Sequence, residues 1–350
     1  MKERREGRFR VVDMLRRIDI DDALVVIPCL NEEKHIAGIV QSILQDEVAE
    51  KLLVVVADGG SSDSTCEIVS QMSRAMPQIR LIDNPQRLQS AGINLAAKLF
   101  GAGRRWLIRM DAHAVYPPNY VASLIAEAKR TEASSVVVAM DSQGEHCFQR
   151  ATAIAQNALL GTGGSPHRMN GKEGFVDHGH HALFDMRTFV ALKGYDETQS
   201  HNEDAEYDLR LVQAGGRIWL TRATGLVYFP RAHVASLFSQ YRRYGCGRAT
   251  TILRHHARPK LRQLLPAAVA PSIVMALLTP WLPLAAAPTL LWLGICLLYG
   301  IFLGLRTRNR CAFASGLAAI VMHFAWSVGF WIAVVQMPVK TLNHARPRFQ

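Results

Sequence analysis

The sequence predicts an α/β fold in which a mainly parallel sheet carries helices on both faces, followed by C-terminal transmembrane helices. Short apolar runs alternate with stretches of helical spacing up to about Ala139, which is typical of a parallel sheet covered by helices. From about Leu264 to Val335 the chain is almost continuously apolar, as membrane helices are. A sheet domain and a membrane region are therefore expected in one chain.

Five short apolar runs are predicted as strands, because polar or turn-forming residues bound each of them. The runs are Leu24–Pro28, Leu52–Ala57, Ile79–Ile82, Trp106–Met110 and Ser135–Ala139. Helices are predicted over about Glu32–Leu44, Ser62–Met76, Leu88–Phe100, Pro118–Arg130 and Gln240–Ile252. Arg217–Leu220 is predicted as an edge strand. Because ligands bind at the carboxyl ends of parallel strands, the loops after Pro28, Ala57 and Met110 are expected to meet there.

Three C-terminal segments approach the ~20 residues that a bilayer requires. They are about Leu264–Leu284, Pro288–Leu305 and Ala312–Val335. Basic clusters at Arg254–Arg262 and Arg306–Arg310 flank the first two, which is typical of cytoplasmic loops in a multi-pass inner-membrane protein. The third segment would place Lys340, Arg346 and Arg348 outside, so a re-entrant or interfacial third segment stays open. A buried helical core is the remaining alternative.

Four regions follow from this division. Basic tails are expected over residues 1–22 and 341–350, a sheet domain over residues 23–258, and a membrane region with two to three hydrophobic helices over residues 259–340. The first 17 residues are basic and lack an apolar run, so no signal peptide is predicted.

The charge distribution and the cysteine spacing exclude several classes of protein and of site. The net charge is +11 and the pI about 9.6, but the chain has no RNP-like run, zinc-finger spacing or long basic helix. Membrane lipids with anionic headgroups are therefore the predicted partner, and nucleic acid is not. The six cysteines form no CxxC pair, so all are predicted to be reduced, small apolar residues.

The run RMDAHAVYP, at Arg109–Pro117, follows a predicted strand and places an imidazole two residues after a carboxylate. Residues two apart point to one side of an extended or tightly turned segment, so Asp111 and His113 are predicted to hold one divalent ion. Oxygen ligands suit Mg²⁺, and replacing one by imidazole favours Mn²⁺. The alternative is a strand-end acid beside a surface histidine.

The run HNEDAEYDLRL, at His201–Leu211, places Glu203 and Asp204 ahead of a helical pattern. A carboxylate here could act as a general base toward an attacking hydroxyl. The alternative is that both acids only stabilise a helix N-terminus. Together with a metal-holding acid, the pair indicates group transfer from a phosphate-bearing donor.

Two further loops carry polar candidates. Asp58 opens DGGSSDST, and Asn31 and Glu32 lie in PCLNEE, which begins at Pro28. Each set is interpreted either as turn and helix-cap residues or as contacts to a nucleoside.

A Q-x-x-R-Y pattern is formed by Gln240, Arg243 and Tyr244. It is interpreted either as a lipid-facing amphipathic helix or as a site that offers Arg243 to a diphosphate and Tyr244 to a sugar face. Nearby histidines match no zinc spacing and are interpreted as acceptor-pocket or surface residues. They are His178, His180 and His181.

Taken together, these runs resemble family 2 glycosyltransferases of the GT-A fold, and in particular the succinoglycan-biosynthesis glucosyltransferase group. The resemblance covers about Leu24–Thr250 and rests on VVIPCLNEE, VVADGGSSDST, NPQRLQSAGIN, RMDAHAVYP, VDHGHHALF, NEDAEYDLRL and QYRRYGCGR, in that order. The wider family mostly has an aspartate where this chain has His113 and a tryptophan where it has Tyr244, and the succinoglycan-like group resembles this chain at His113.

The resemblance implies a nucleotide-sugar site. Asp58 would contact uracil, Glu32 would contact the uridine beside Pro28 and Asn31, and Arg87 would lie near the nucleotide. The same resemblance implies that Asp111 and His113 hold the Mn²⁺ or Mg²⁺ ion.

The resemblance also implies the reaction. Asp204 would be the catalytic base supported by Glu203, and five residues would face the acceptor and diphosphate: His180, His181, Gln240, Arg243 and Tyr244. The expected reaction is inverting transfer of a sugar, expected to be glucose, from a UDP-sugar to an undecaprenyl-diphosphate-linked saccharide during exopolysaccharide biosynthesis. The catalytic domain would lie in the cytoplasm, on the bacterial inner membrane. Two rivals stay open: a polyisoprenyl-phosphate glycosyltransferase and a non-catalytic scaffold that binds nucleotide-sugar.

Overall fold

The computed structural model describes residues 22–168 and 171–337, without the side chain of His181. The chain divides into two compact units. The first unit comprises Met1–Val138, Glu173–Glu197 and Tyr207–Gly225, and the second comprises Ala139–Lys172, Thr198–Glu206 and Leu226–Gln350. The predicted basic tails lie outside the described residues, apart from Asp22.

The described residues form one eight-stranded mixed sheet. Its strands are β1 (Ala23–Cys29), β2 (Leu52–Asp58), β3 (Ile79–Asp83), β4 (Trp106–Arg109), β5 (Ser135–Ser142), β6 (Gly174–Val176), β7 (His180–Asp185) and β8 (Ile218–Tyr228). Their order is β3-β2-β1-β4-β7-β5-β8-β6. The first four neighbours pair in parallel, whereas β7 is antiparallel to β4 and β5. All five predicted strands are present, and the predicted fold class is confirmed.

The edge-strand prediction for Arg217–Leu220 is wrong in position. The strand there, β8, is longer than predicted and lies second from the edge, because β6 pairs outside it. With three residues, β6 is too short to show an alternating pattern in the sequence.

Fourteen residues or more separate most strands, and helices occupy these connections. In chain order the helices are α1 (Ile36–Leu44), α2 (Thr65–Ala75), α3 (Gln89–Phe100), α4 (Tyr120–Thr131), α5 (Cys147–Gln156), α6 (Leu159–Thr162), α7 (Met186–Ala191), α8 (Glu203–Gln213), α9 (Val234–Arg254), α10 (Leu261–Ala267), α11 (Val269–Ala276), α12 (Ala287–Thr307) and α13 (Ser315–Gln336).

The buried core of the first unit lies along the sheet. Leu24, Val26, Val55 and Leu107 are fully buried on adjacent strands, as expected for strands covered on both faces. This packing holds β1, β2 and β4 in register, so the loops that follow them begin at one edge of the sheet.

The C-terminal region contains two helical segments that are long and apolar enough to cross a membrane, judged by length and composition. They span Pro283–Thr307 and Arg310–Gln336. The first predicted span, about Leu264–Leu284, instead contains α10 and α11, which follow one another across Ala268. Together they form the apolar helical stretch Leu261–Ala276, which is shorter than the ~20 residues needed to cross a bilayer.

The prediction that all six cysteines are reduced is wrong for two of them. Cys147, at the start of α5, forms a disulfide with Cys311, and their Cα atoms are 5.2 Å apart. The two residues are 164 positions apart in sequence, so local spacing contains no signal for this pair. The other four cysteines are free, as predicted.

The two helices α9 and α13 approach so closely that only glycine fits at their contact. A Cβ atom at Gly329 would overlap the backbone at Arg242, and one at Gly245 would overlap the backbone at Trp326. We expect Gly329→Ala to destabilise the protein by about 1–3 kcal/mol, because the helices must separate. Gly294→Ala is the matched control, since a Cβ there meets no atom within 4 Å. Thermal unfolding in detergent measures the stability of both variants, and equal melting temperatures would contradict this packing.

Candidate functional site

The loops after β1 and β2 are joined by reciprocal hydrogen bonds in the first unit. The Asn31 backbone N–H donates to Ser61 Oγ at 2.8 Å, and the Ser62 N–H donates to Asn31 Oδ1 at 2.8 Å. The Ser64 N–H donates to Glu33 Oε2 at 3.1 Å. These bonds confirm that PCLNEE and DGGSSDST meet at the carboxyl edge of the sheet.

The loop from Asp58 is organised around its carboxylate. The Gly60 and Ser61 N–H groups donate to Asp58 Oδ2 at 2.8 and 2.9 Å, and Ser61 Oγ donates to Oδ1 at 2.5 Å. Burial alone would raise the pKa of Asp58, but these hydrogen bonds hold the pKa below its ordinary value. Asp58 is therefore a charged, buried group that shapes the loop.

Arg87 lies beside this loop, although it follows a different strand. Its guanidinium Nη2 is 3.5 Å from the Gly60 carbonyl oxygen, and its backbone has a φ of 58°. The structure thus brings Arg87 to the loop that Asp58 organises, as the predicted nucleotide site requires.

The predicted metal pair is not brought together by direct contact. His113 Nδ1 lies 2.9 Å from Glu32 Oε1, whereas Asp111 Oδ1 accepts a hydrogen bond from Gln89 Nε2 at 2.7 Å. The segment is tightly turned, one of the two forms the prediction allowed, since the Ala114 N–H donates to the Asp111 carbonyl.

The imidazole that the structure brings to Asp111 belongs to His180. Its Nε2 lies 3.7 Å from Asp111 Oδ2, and the side chain of Asp111 is 18% exposed. No group of three metal-binding side chains is assembled within the described ranges. A partly buried carboxylate oxygen facing an imidazole nitrogen does fit two ligands of Mn²⁺ or Mg²⁺, with the remaining positions left to oxygens of a bound ligand or water.

Two residues that contact predicted site residues were missed by the sequence analysis. Gln89, which precedes Asp111 by 22 positions, bonds to its carboxylate, and Asp208 Oδ2 lies 2.6 Å from His178 Nδ1. Neither pair shows a spacing signal, since their separations exceed any helical or strand repeat. His181 lies on β7, and its side chain is outside the described residues.

Glu203 and Asp204 open α8, and the segment that contains them packs on α9 within the second unit. Glu206 Oε1 lies 2.9 Å from His255 Nε2, and Asn202 Nδ2 donates to Thr251 Oγ1 at 3.2 Å. Arg254 Nη1 donates to Thr198 Oγ1 at 2.9 Å. Three bonds from the C-terminal end of α9 therefore hold the segment with the acid pair.

The Q-x-x-R-Y residues lie on the same helix, where Gln240 and Tyr244 are partly buried and Arg243 is exposed. Gln240 Nε2 donates to the Tyr228 hydroxyl at 3.0 Å, while the buried Gln240 Oε1 has no hydrogen-bond partner among the described residues. The pKa of Tyr244 is raised, mainly by burial and to a smaller extent by neighbours that include Glu203. The structure thus brings Glu203 into electrostatic range of Tyr244.

His201 completes this cluster. Burial, together with the positive charges of Arg243 and Arg231, lowers its pKa to about 4. The imidazole is therefore neutral at pH 7. The side chains around the acid pair thus combine cationic guanidinium groups, aromatic rings and an unpaired amide oxygen, which suits an anionic, hydroxyl-bearing ligand.

We expect His255→Asn to destabilise the protein by about 1–3 kcal/mol, because the 2%-exposed Glu206 loses the imidazole beside it. His256→Asn is the control, since His256 is exposed and adjacent. Thermal unfolding compares the two variants. Equal losses of stability would show that the pair with Glu206 does not hold the segment.

Comparison with known proteins decides the family. The profile described as Glycosyl transferase family 2 matches residues 24–191. The chain is also 48% identical, over 309 residues, to the succinoglycan biosynthesis protein ExoA of Rhizobium meliloti (strain 1021), covering 88% of this chain and 94% of that protein. The chain belongs to glycosyltransferase family 2. It is therefore an enzyme, and the resemblance to the succinoglycan group is confirmed.

Two more distant similarities are to proteins named as sugar transferases. The chain is 22% identical over 240 residues to the dolichyl N-acetyl-α-D-glucosaminyl phosphate 3-β-D-2,3-diacetamido-2,3-dideoxy-β-D-glucuronosyltransferase of Methanococcus voltae, covering 65% of this chain and 73% of that enzyme. The mannosyltransferase PcManGT of Pyrobaculum calidifontis, solved with GDP-Man and Mn²⁺, is similar in structure. Its TM-score is 0.53 at 20% identity, over 86% of each chain, which shows a shared glycosyltransferase fold.

Proposed function

We propose that this glycosyltransferase moves a sugar from a UDP-sugar to a lipid-linked saccharide during bacterial exopolysaccharide assembly. The 48% identity to a succinoglycan biosynthesis protein carries the proposal, because it extends over 88% of the chain. The name of the Methanococcus relative, which includes a dolichyl-linked sugar phosphate, supports a lipid-linked acceptor. Glucose is the proposed sugar and undecaprenyl diphosphate the proposed lipid carrier.

The proposed donor site lies in the first unit. Asp58 and Arg87, which share one loop region, would border the base and the nucleotide, and Glu32 with Asn31 and Pro28 would border the uridine. When bound, a divalent ion would neutralise charge on the departing diphosphate. Asp111 would hold it, with His113 or His180 as the imidazole ligand.

The proposed chemistry requires one proton transfer by the protein. An acceptor hydroxyl oxygen forms a bond to the anomeric carbon as the bond from that carbon to the UDP oxygen breaks, which inverts the configuration. Asp204 would accept the hydroxyl proton, and Glu203 would support it. Gln240, Arg243 and Tyr244 would orient the acceptor and its diphosphate, which suits the unpaired amide oxygen and the exposed guanidinium on α9.

We propose that the enzyme works at the cytoplasmic face of the bacterial inner membrane. Two apolar helical segments and the exposed arginines between them support attachment to an anionic bilayer. A membrane-attached enzyme meets a lipid-linked acceptor in two dimensions, which raises the local concentration of that acceptor.

The test supplies membranes that contain the protein with a lipid-extract acceptor and a panel of UDP-sugars, with GDP-mannose as a comparison donor. UDP release and label entering the lipid fraction are followed with Mn²⁺, Mg²⁺ or a chelator. Metal-dependent labelling from one UDP-sugar is the expected result. Nucleotide binding without release from any donor, by folded protein with a competent acceptor, would favour the scaffold instead.

A further inference from the structure

The helix α13 buries one face against other helices of the second unit. Gly245 of α9 lies against the backbone at Trp326 and Phe330, and Leu237 packs with Ala318 and Met322. Contacts in this order along both helices show that α9 and α13 run parallel, side by side. The buried positions of α13 recur at helical spacing, so protein covers this face of the helix.

Two further elements contact α13. His323 Nε2 lies 2.8 Å from the Leu160 carbonyl oxygen of α6. Ser327 Oγ and Trp331 Nε1 donate to the Ala267 carbonyl oxygen of α10 at 2.9 and 2.8 Å. Polar side chains along the helix therefore bond to the backbone of α6 and α10.

The neighbouring helix α9 is too polar for the interior of a bilayer. Gly329, beyond the middle of α13, lies against the backbone of Arg242, so Arg242 and Arg243 are level with the central part of α13. The guanidinium of Arg243 is exposed. If α13 crossed a membrane, these cations would lie at the depth of the hydrocarbon, where a charge is strongly unfavourable.

The helix α12 shares this depth because it packs antiparallel on α13. Gly304 lies against Phe313 and Gly300 against the backbone of Gly316, while Trp292 Nε1 donates to His323 Nδ1 at 3.3 Å. The helix α13 thus lies beside both α12 and α9, and a membrane crossing by α12 would carry α13 and α9 to the same depth.

A continuous set of exposed apolar side chains lies on α11, on the segment after it and on α12. It includes Leu277, Trp281, Leu284, Leu291 and Leu298, which are each between 66% and 80% exposed. Exposed arginines follow at the C-terminal end of α12: Arg306, Arg308 and Arg310. An apolar face with basic residues at its border is typical of attachment to one leaflet with anionic headgroups.

We propose that this apolar face of α11 and α12 inserts into one leaflet of an anionic bilayer, and that α13 is a core helix of the second unit. Neither α12 nor α13 crosses the membrane. The predicted multi-pass topology is replaced by one-sided attachment, which keeps the arginines of α9 at the headgroup level. The inference rests on the membrane attachment proposed above, but its test does not measure sugar transfer.

The test introduces single cysteines into the full-length protein in bacterial membranes. Ala287→Cys, Arg308→Cys and Gln336→Cys place a thiol at the start of α12, between the two helices and at the end of α13, all at exposed positions. Leu99→Cys, on α3 of the first unit, reports the side on which that unit lies, and the unchanged protein gives the background of native thiols. A membrane-impermeant maleimide is applied to intact spheroplasts and to inverted vesicles.

We expect Arg308→Cys and Gln336→Cys to react from the same side as Leu99→Cys, with Ala287→Cys unreactive from the opposite side. Labelling of any of the three positions from the opposite side, at several times the background, would overturn the inference, because a helix would then cross. Recovery of the protein in the soluble fraction would overturn the membrane attachment itself, whatever the outcome of the transfer assay.

Discussion

Replacing Asp204 with Asn is expected to lower kcat for sugar transfer by about 10²- to 10⁴-fold, the usual contribution of a general base. Asn has the shape of Asp but cannot accept the proton that leaves the acceptor hydroxyl. Donor binding should not change, because the proposed role of Asp204 concerns only the acceptor. Steady-state transfer to the lipid-extract acceptor and UDP binding measured separately check both halves of this expectation.

Glu203→Gln is the matched control for this substitution, since Glu203 precedes Asp204 at the same helix N-terminus and carries the same charge. An equal and small decrease of kcat in both variants would indicate that the two acids only stabilise α8. Undiminished transfer by the Asp204→Asn variant would favour the rival acceptor, a polyisoprenyl phosphate, because a phosphate oxygen attacks without a base.

Replacing Asp111 with Asn is expected to weaken UDP-sugar binding in the presence of Mn²⁺ by about 10- to 100-fold and to remove most of its metal dependence. Asn keeps a side-chain oxygen that can accept from Gln89, so the local fold should persist, but the negative charge that would hold the cation is lost. Binding of UDP with and without Mn²⁺, measured by calorimetry, gives both quantities.

Asp83→Asn controls for the charge change, because Asp83 is an exposed aspartate that pairs beside Asp58 at the same sheet edge. Two further variants, His113→Ala and His180→Ala, identify the imidazole ligand by which of them reduces the metal dependence. Metal-dependent binding that survives Asp111→Asn would refute the proposed ion site.

Most of the sheet could be predicted from local sequence. The strands from Leu24, Leu52, Ile79, Trp106 and Ser135 were each found within a few residues, because an apolar run bounded by turn residues has few other structures available. Parallel pairing then brought Asn31, Glu32 and Asp58 to one edge. Local pattern failed for β6, with its three residues, and for the Cys147–Cys311 pair, which involves a separation of 164 residues.

The sequence by itself determined the family, the strand–helix alternation and which chemical groups line the loops, since these depend on residue types and short spacings. Only the tertiary structure decided which groups meet: His113 with Glu32, His180 with Asp111, and His255 with Glu206. It also decided that α13 lies among protein helices, which hydropathy does not reveal. Burial against protein and burial in lipid select the same apolar side chains, so only the neighbours of a helix distinguish the two.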